Sequence, residues 1–274
     1  MRIAITGKGG VGKTLVAATL ARLYADEGRR VLAIDADPDS NLAEALAFPP
    51  ELAAAVRPIS ELRQELEARR AEAEVQFEAG EYQVRLRVDD LPPKYAVEAQ
   101  GVHLLKMGTI PAGGSGCACA INQALRELLR VLLEGDEEVV ILDMEAGVEH
   151  LGRGTAALVD AFLIVVEPSR ASVATAHAIR RLAADIGVLR TFAVANRVRS
   201  EAERAFVERE LRDVPLLGVV PFDPELGTAD LRSLTAYEVA SPVVEAIRSV
   251  QQCLADTLAT SSGSVSPEGG ECTS

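Results

Sequence analysis

Four cysteines in 274 residues are too few for a disulfide framework, and that scarcity makes a reducing cytoplasm the expected compartment. Positive charge is also short: 28 Lys+Arg stand against 41 Asp+Glu, a formal net charge of −13. A general nucleic-acid binder needs a basic face for phosphates, so the balance argues against that class. No apolar run approaches the roughly 18 residues of a membrane span. The longest, around Ala156–Val166, is interrupted by Asp160. A structured motif begins within six residues of Met1, leaving no room for a signal peptide. Internal repeats are absent as well. These absences leave a soluble protein with no membrane and no nucleic-acid partner as the expectation.

What is present is ordinary globular composition, 48% apolar and 25% charged, with enough chain to bury a substantial core. Short apolar runs recur at Arg2–Thr6, Val31–Ile34, Val102–Met107, Glu138–Asp143, Ala161–Val166, Thr191–Ala195 and Leu216–Val220. Several lack alternation, as expected of strands covered on both faces. Amphipathic stretches such as Ile121–Leu133 and Ser172–Ile186 lie between them. The alternation predicts an α/β fold: a doubly wound, mostly parallel sheet of about seven strands with helices on both faces. One domain over residues 1–260 is expected, followed by a small, polar, flexible tail over 261–274. A charged insertion at about 49–100 breaks the rhythm, with a helix expected over Ile59–Ala73.

Gly7-Lys8-Gly9-Gly10-Val11-Gly12-Lys13-Thr14 matches G-x-x-x-x-G-K-[ST] between the first strand and a helix, the context a phosphate-binding loop requires. Its glycines let backbone N–H groups turn inward around a phosphate, and the helix adds its positive end. Lys13 is expected on the β- and γ-phosphates and the Thr14 hydroxyl on Mg²⁺. Asp35-Ala36-Asp37-Pro38-Asp39-Ser40-Asn41 follows the second strand, in the crevice where open α/β sheets bind ligands. Asp39 and Asn41 read equally as a helix cap. Val139-Val140-Ile141-Leu142-Asp143 is an apolar strand ending in an acid, which makes Asp143 the Walker B candidate for Mg²⁺. Gly147, just beyond, is placed to bring a backbone N–H to a γ-phosphate. His150 is read as having a structural or interface role.

Lys8 to Thr14 also fits K-G-G-x-G-K-[ST], so the sequence resembles the deviant Walker A (MinD/ParA-like) group of P-loop NTPases, of the SIMIBI type. The resemblance implies binding of ATP and ADP by Gly9, Gly10, Val11, Gly12, Lys13 and Thr14. It implies a homodimer in which Lys8 reaches the partner's nucleotide. It gives Asp35 a share of Mg²⁺ and Asp37 the orientation of the attacking water, so that Lys8, Lys13 and Asp37 carry catalysis. It further assigns Asn196, of the pair Asn196-Arg197, to the adenine edge, and Pro221, Phe222 and Asp223 to packing on the base.

Gly113-Gly114-Ser115-Gly116-Cys117-Ala118-Cys119 stands apart from these motifs. Two thiolates are half of a tetrahedral thiolate site, and a twofold axis bringing two pairs together supplies four. Cys117 and Cys119 are therefore candidate ligands for one metal per dimer, with Zn²⁺, Ni²⁺, Cu(I) and an iron–sulfur cluster all compatible with soft sulfur donors. Cys253 and Cys272 are read as incidental. The turn around this pair, Val102–Met107 with Gly108-Thr109-Ile110, Met144–Gly147 through Gly154, Val166-Glu167-Pro168-Ser169 and Thr175-Ala176-His177 together resemble the nickel-insertion accessory ATPases of carbon monoxide dehydrogenase, the CooC type. The resemblance covers residues 1 to about 255. One departure is Ala120, where the pattern leads us to expect proline; it bears on loop stiffness more than on ligation. It implies Ni²⁺ on the cysteine pair, with Zn²⁺ compatible with the same site, ATP-driven delivery to carbon monoxide dehydrogenase, and acetyl-CoA synthase as a second client. An electron donor like the nitrogenase iron protein is disfavoured because the second switch has no cysteine. A septum-site or partitioning ATPase is disfavoured because residues 240–274 hold only one basic residue, Arg248.

Overall fold

The computed structural model describes residues 1–37, 41–62, 74–78, 81–85, 95–108, 138–145, 158–231, 234–239 and 241–261. In chain order its strands are β1 (Arg2–Gly7), β2 (Val31–Ala36), β3 (Glu74–Glu78), β4 (Glu81–Arg85), β5 (Val97–Ala99), β6 (Val102–Lys106), β7 (Val139–Met144), β8 (Ala161–Val166), β9 (Thr191–Val198) and β10 (Leu216–Pro221). Its helices are α1 (Lys13–Asp26), α2 (Leu42–Ala45), α3 (Pro50–Ala55), α4 (Arg170–Asp185), α5 (Glu201–Glu210), α6 (Pro224–Leu231) and α7 (Pro242–Ser261).

Eight of the described strands form one sheet in the order β10-β9-β8-β1-β7-β2-β6-β5. Every pairing is parallel except β5 with β6. The sheet crosses over on either side of β1, and the ends of β1, β2 and β7 share one edge. That is where a doubly wound sheet opens a crevice at its strand C-termini.

Strand residues alternate between two apolar layers. Ile3, Ile5, Val31, Ala33, Val139, Ile141, Leu163 and Val165 pack with Val16, Leu20 and Leu23 of α1 and Val243, Ile247 and Val250 of α7. Ala4, Leu32, Ile34, Val140, Leu142, Phe162 and Ile164 face the other way, against Val173, Ala176 and Ile179 of α4. Burial on both faces explains why these strands read as continuous apolar runs. The helices on the second face begin at serine caps: Ser169 Oγ accepts from Ser172 N at 3.2 Å, and Ser200 Oγ from Glu203 N at 3.2 Å.

The main sheet has eight described strands, within the expected count of about seven; three-residue β5 adds an antiparallel edge too short to register as a run. One expectation needs correction, in the insertion. In the insertion, Ile59–Leu62 is a 3-10 turn, the remainder of the expected helix lies outside the described residues, and a separate antiparallel hairpin, β3–β4, follows. No described helix is long and apolar enough to cross a membrane.

Candidate functional site

The phosphate loop runs from the end of β1 into α1. Gly10 and Gly12 hold φ of 80° and 93°, in the left-handed region where a side chain is strained. Space demands glycine at position 12 as well, since a Cβ there would overlap Asn196 Nδ2. α1 starts at Lys13 without a side-chain cap, so its first N–H groups remain directed at the loop.

Around this loop the structure gathers Lys13, Thr14, Asp35, Asp37 and Asp143. Asp35 and Asp143 are register partners on the paired strands β2 and β7. Thr14 Oγ1 donates to Asp143 Oδ2 at 2.7 Å, while Asp143 Oδ1 is buried with no hydrogen-bond partner. Lys13 Nζ lies 3.7 Å from Asp37 Oδ2, with the lysine 6% and the aspartate 18% exposed. Asp35 accepts backbone N–H groups from Asp37 and Leu42, both at 3.3 Å, which fixes the turn after β2 and supplies the cap that α2 lacks from Asn41. Across the sheet, Thr6 Oγ1 donates to the Glu145 carbonyl at 3.1 Å, tying the root of the loop to the segment after β7.

Electrostatics follow from this crowding. Burial pushes the Asp143 carboxyl up to about 7, reinforced by the charges of Asp35 and Asp37 and opposed by the Thr14 hydrogen bond and Lys13. A buried carboxylate oxygen without a partner, beside a second carboxylate and a hydroxyl, suits a hard divalent cation with oxygen ligands. Thr14, Asp35 and Asp143 therefore fit Mg²⁺. Lys8 is half-buried and makes no ion pair with the described residues, which leaves its charge available.

Asn196 lies near the C-terminal end of β9, against the phosphate loop. Its side chain is 1% exposed; Nδ2 donates to the Val11 carbonyl at 2.7 Å and Oδ1 accepts from Arg197 N at 2.9 Å. Arg197, to which the sequence reading gives no role, has φ 59° and donates from Nη1 to the Gly10 carbonyl at 2.7 Å. The available signal was its place beside Asn196 at the C-terminal end of a strand. Phe222 is 43% exposed beneath the Arg199 guanidinium, 4.2 Å from the ring centre. Pro221 ends β10, and Asp223 Oδ1 accepts from Glu225 N at 2.8 Å at the start of α6.

Cys117, Cys119, Gly147, His150, Cys272 and the Ile121–Leu133 helix lie outside the described residues. Among the described residues no group of three or more His, Cys, Asp or Glu is arranged to hold a metal. Cys253 is disulfide-bonded.

The fold and this loop together define a P-loop nucleotide-binding protein. Residues 3–236 match the CobQ/CobB/MinD/ParA nucleotide-binding domain family. The carbon monoxide dehydrogenase accessory protein CooC of Rhodospirillum rubrum is 42% identical over 240 residues, covering 88% of this chain and 90% of that protein. An ATP-binding protein of Methanocaldococcus jannaschii is 41% identical over 82% of this chain and 87% of its own length. Among solved structures, the MinD protein in the MinC:MinD complex of Aquifex aeolicus matches with a TM-score of 0.65 at 22% identity, over 97% of this chain and 98% of that one. A ParA family ATPase of Chlorobium tepidum matches at 0.66 and 18% identity, over 92% and 97% of the two chains. The chain belongs to the CobQ/CobB/MinD/ParA nucleotide-binding family, and within it to the CooC type.

Proposed function

We propose that this protein is an ATP-hydrolysing homodimer that carries Ni²⁺ on Cys117 and Cys119 and delivers it to the active-site cluster of carbon monoxide dehydrogenase. The carrying observation is the 42% identity to CooC over 88% of the chain, joined to a complete phosphate loop with its acidic partners. The MinD and ParA likenesses, all under 25% identity, speak to the fold alone.

In this reading the loop from Gly9 to Thr14 holds the phosphates of ATP and then ADP. Lys13 exchanges Asp37 for phosphate oxygens, and Asp37 orients the attacking water. Thr14, Asp143 and Asp35 would hold Mg²⁺, which would supply positive charge against the charge developing on the phosphates. Lys8 serves the partner's nucleotide across the dimer. Phe222, with Pro221 and Asp223, offers an exposed apolar face at the strand ends for the base. Four thiolates from two chains bind one metal ion, with Zn²⁺ as the competing occupant. Because nucleotide and metal then share one dimer, each affinity must depend on the other.

The test is metal content per protomer after anaerobic loading with Ni²⁺ or Zn²⁺, with ADP, with ATP and without nucleotide. One metal per dimer, changing with nucleotide and lost in Cys117→Ser while nucleotide binding persists, is the expected result. Full metal retention in Cys117→Ser overturns the shared thiolate site. Transfer is then read as activation of nickel-free carbon monoxide dehydrogenase by the loaded protein, with nickel-free acetyl-CoA synthase as the second client to assay.

A further inference from the structure

We propose that Ser60 and Gly108 form a joint that carries the state of Asp35 to the segment bearing Cys117 and Cys119. The inference rests on the carrier reading above and names the residues through which its nucleotide and metal sense each other. Both are positioning residues, and neither touches nucleotide or metal in that reading.

The joint lies at the C-terminal ends of β2 and β6, which run parallel with Asp35 opposite Lys106. Asp35 is engaged on two sides there. Its carboxylate accepts the N–H groups of Asp37 and Leu42, while its carbonyl accepts Met107 N at 2.8 Å. Met107 is pinned a second time, because its own carbonyl accepts Ser60 N at 3.0 Å. Ser60 comes from the insertion, in the 3-10 turn Ile59–Leu62. That turn is anchored by Ile59, which is fully buried in the same core layer as Met107.

Gly108 is the next residue, and its φ of 81° turns the backbone out of the strand path. A Cβ at position 108 would overlap Ser60 Oγ and come within 2.7 Å of Pro58 Cβ, so the insertion lies directly against this backbone. A shift of Asp35 on cation binding must therefore move Met107 or break its hydrogen bond. Because Met107 O and Gly108 are held by residues 58–60, the shift passes to the direction in which the chain leaves Gly108 and is not absorbed in slack. Closely packed elements of this kind switch between discrete arrangements and do not deform continuously. Cys117 follows Gly108 by nine residues. One element biased from both sides is what coupling between two ligands requires.

The experiment uses the full chain and measures the Kd for Ni²⁺ anaerobically, without nucleotide and with a non-hydrolysable Mg²⁺-ATP analogue. The variants are Gly108→Ala, Ser60→Gly, which takes the side chain off Gly108, and Gly101→Ala as the control. Gly101 is also left-handed, at φ 73°, but sits at the opposite end of β6. In the parent the nucleotide should change the metal Kd about fivefold or more. Gly108→Ala should shrink that change to about twofold or less and Ser60→Gly should about halve it, with ATP affinity and metal stoichiometry kept. Gly101→Ala should lose comparable thermal stability and keep the parent's ratio. A parent ratio retained in Gly108→Ala, or lost equally in Gly101→Ala, overturns the joint. Should Gly108→Ala fail to fold, Ser60→Gly decides, and a retained ratio there overturns it. Thiol-bound metal whose Kd ignores nucleotide in the parent also overturns it. A parent whose metal binding survives Cys117→Ser, or that binds no metal, overturns the carrier reading instead. Hydrogen exchange then tests the joint without metal: the Met107 and Ser60 amides should change protection together on adding Mg²⁺-ATP, and unchanged protection at both refutes it.

Discussion

Asp143→Asn separates the electrostatic role of this carboxylate from every other pH-dependent group in the chain. Its folded-state value of about 7 stands roughly 3 units above the ordinary 3.8, equivalent to about 4 kcal/mol between the two protonation states. The sign follows from linkage: a carboxyl raised on folding contributes stability that is complete below about pH 4 and is lost as pH rises through about 7. The ligand-free parent should therefore lose up to about 1.4 kcal/mol per pH unit within that window through this group alone. Because the sequence pI is about 4.8, the useful range lies above it. Between about pH 5.5 and about pH 8 the expected loss is roughly 2 kcal/mol.

In Asp143→Asn that component disappears. The amide oxygen can still accept from Thr14, but its N–H₂ replaces an oxygen that already lacks a partner, and an unpaired buried donor costs about 1–3 kcal/mol at any pH. The absolute change at one pH is thus a balance, while the change between two pH values isolates the carboxyl. Urea unfolding of parent and variant without nucleotide or Mg²⁺ provides the measurement. The variant should gain on the parent by about 2 kcal/mol between about pH 5.5 and about pH 8. Saturating Mg²⁺-ADP should flatten the parent's own pH dependence, because a bound cation favours the ionised carboxylate. Equal differences between parent and variant at both pH values would refute the reasoning.

Gly12→Ala places a Cβ at φ 93° and against Asn196 Nδ2, so it should destabilise the chain by at least about 1–2 kcal/mol and abolish ATP binding in a calorimetric titration. Wild-type affinity in that variant would contradict the described loop. Lys13→Met removes the counterion 3.7 Å from Asp37 and one of the influences holding the Asp143 carboxyl down. Nucleotide affinity should fall about 10- to 100-fold, and the pH-dependent loss of stability should move to higher pH. An unchanged unfolding profile would mean that Lys13 and the carboxylates do not sense one another.

The parallel core was legible because burial on both faces leaves a crude signal: Val139–Leu142 and Ala161–Val166 are apolar at every position. The phosphate loop was legible because its chemistry fixes residue types at fixed spacing, and Asp35 and Asp143 followed from their places at strand ends. Three-residue β5 left no pattern long enough to recognise. Its role is to pair with β6, a long-range contact that no local property of Val97–Ala99 announces. The hairpin Glu74–Arg85 was masked by charge: its strands carry Glu and Gln in positions that read equally as an exposed helix. Asn196 illustrates a different limit. A motif names a residue that matters near a nucleotide, but which group its amide meets depends on a bulge in β9 and on glycine at position 12, neither visible in Asn196-Arg197 itself.

Without a ligand, the charges of this site are partly neutralised within the chain. Lys13 is held by Asp37, the Thr14 hydroxyl by Asp143, and Asp143 is driven toward its neutral form. In the proposed function each of these arrangements is exchanged when a magnesium nucleotide enters: Lys13 turns from Asp37 to the phosphate, and Thr14 and Asp143 would hold the cation. Binding is therefore weaker than the full set of new contacts would allow, since existing pairs are broken first. The exchange also transmits the event. Asp37 precedes the segment leading to α2, whose first N–H is held by Asp35. Asp143 and Met144 lead to Glu145, whose carbonyl is held by Thr6 at the root of the loop. Both strand ends are thus fastened to the loop that, in the proposed function, senses the phosphate. A nucleotide-dependent carrier requires such coupling, because a ligand shifts a conformational equilibrium only through contacts that differ between its two states.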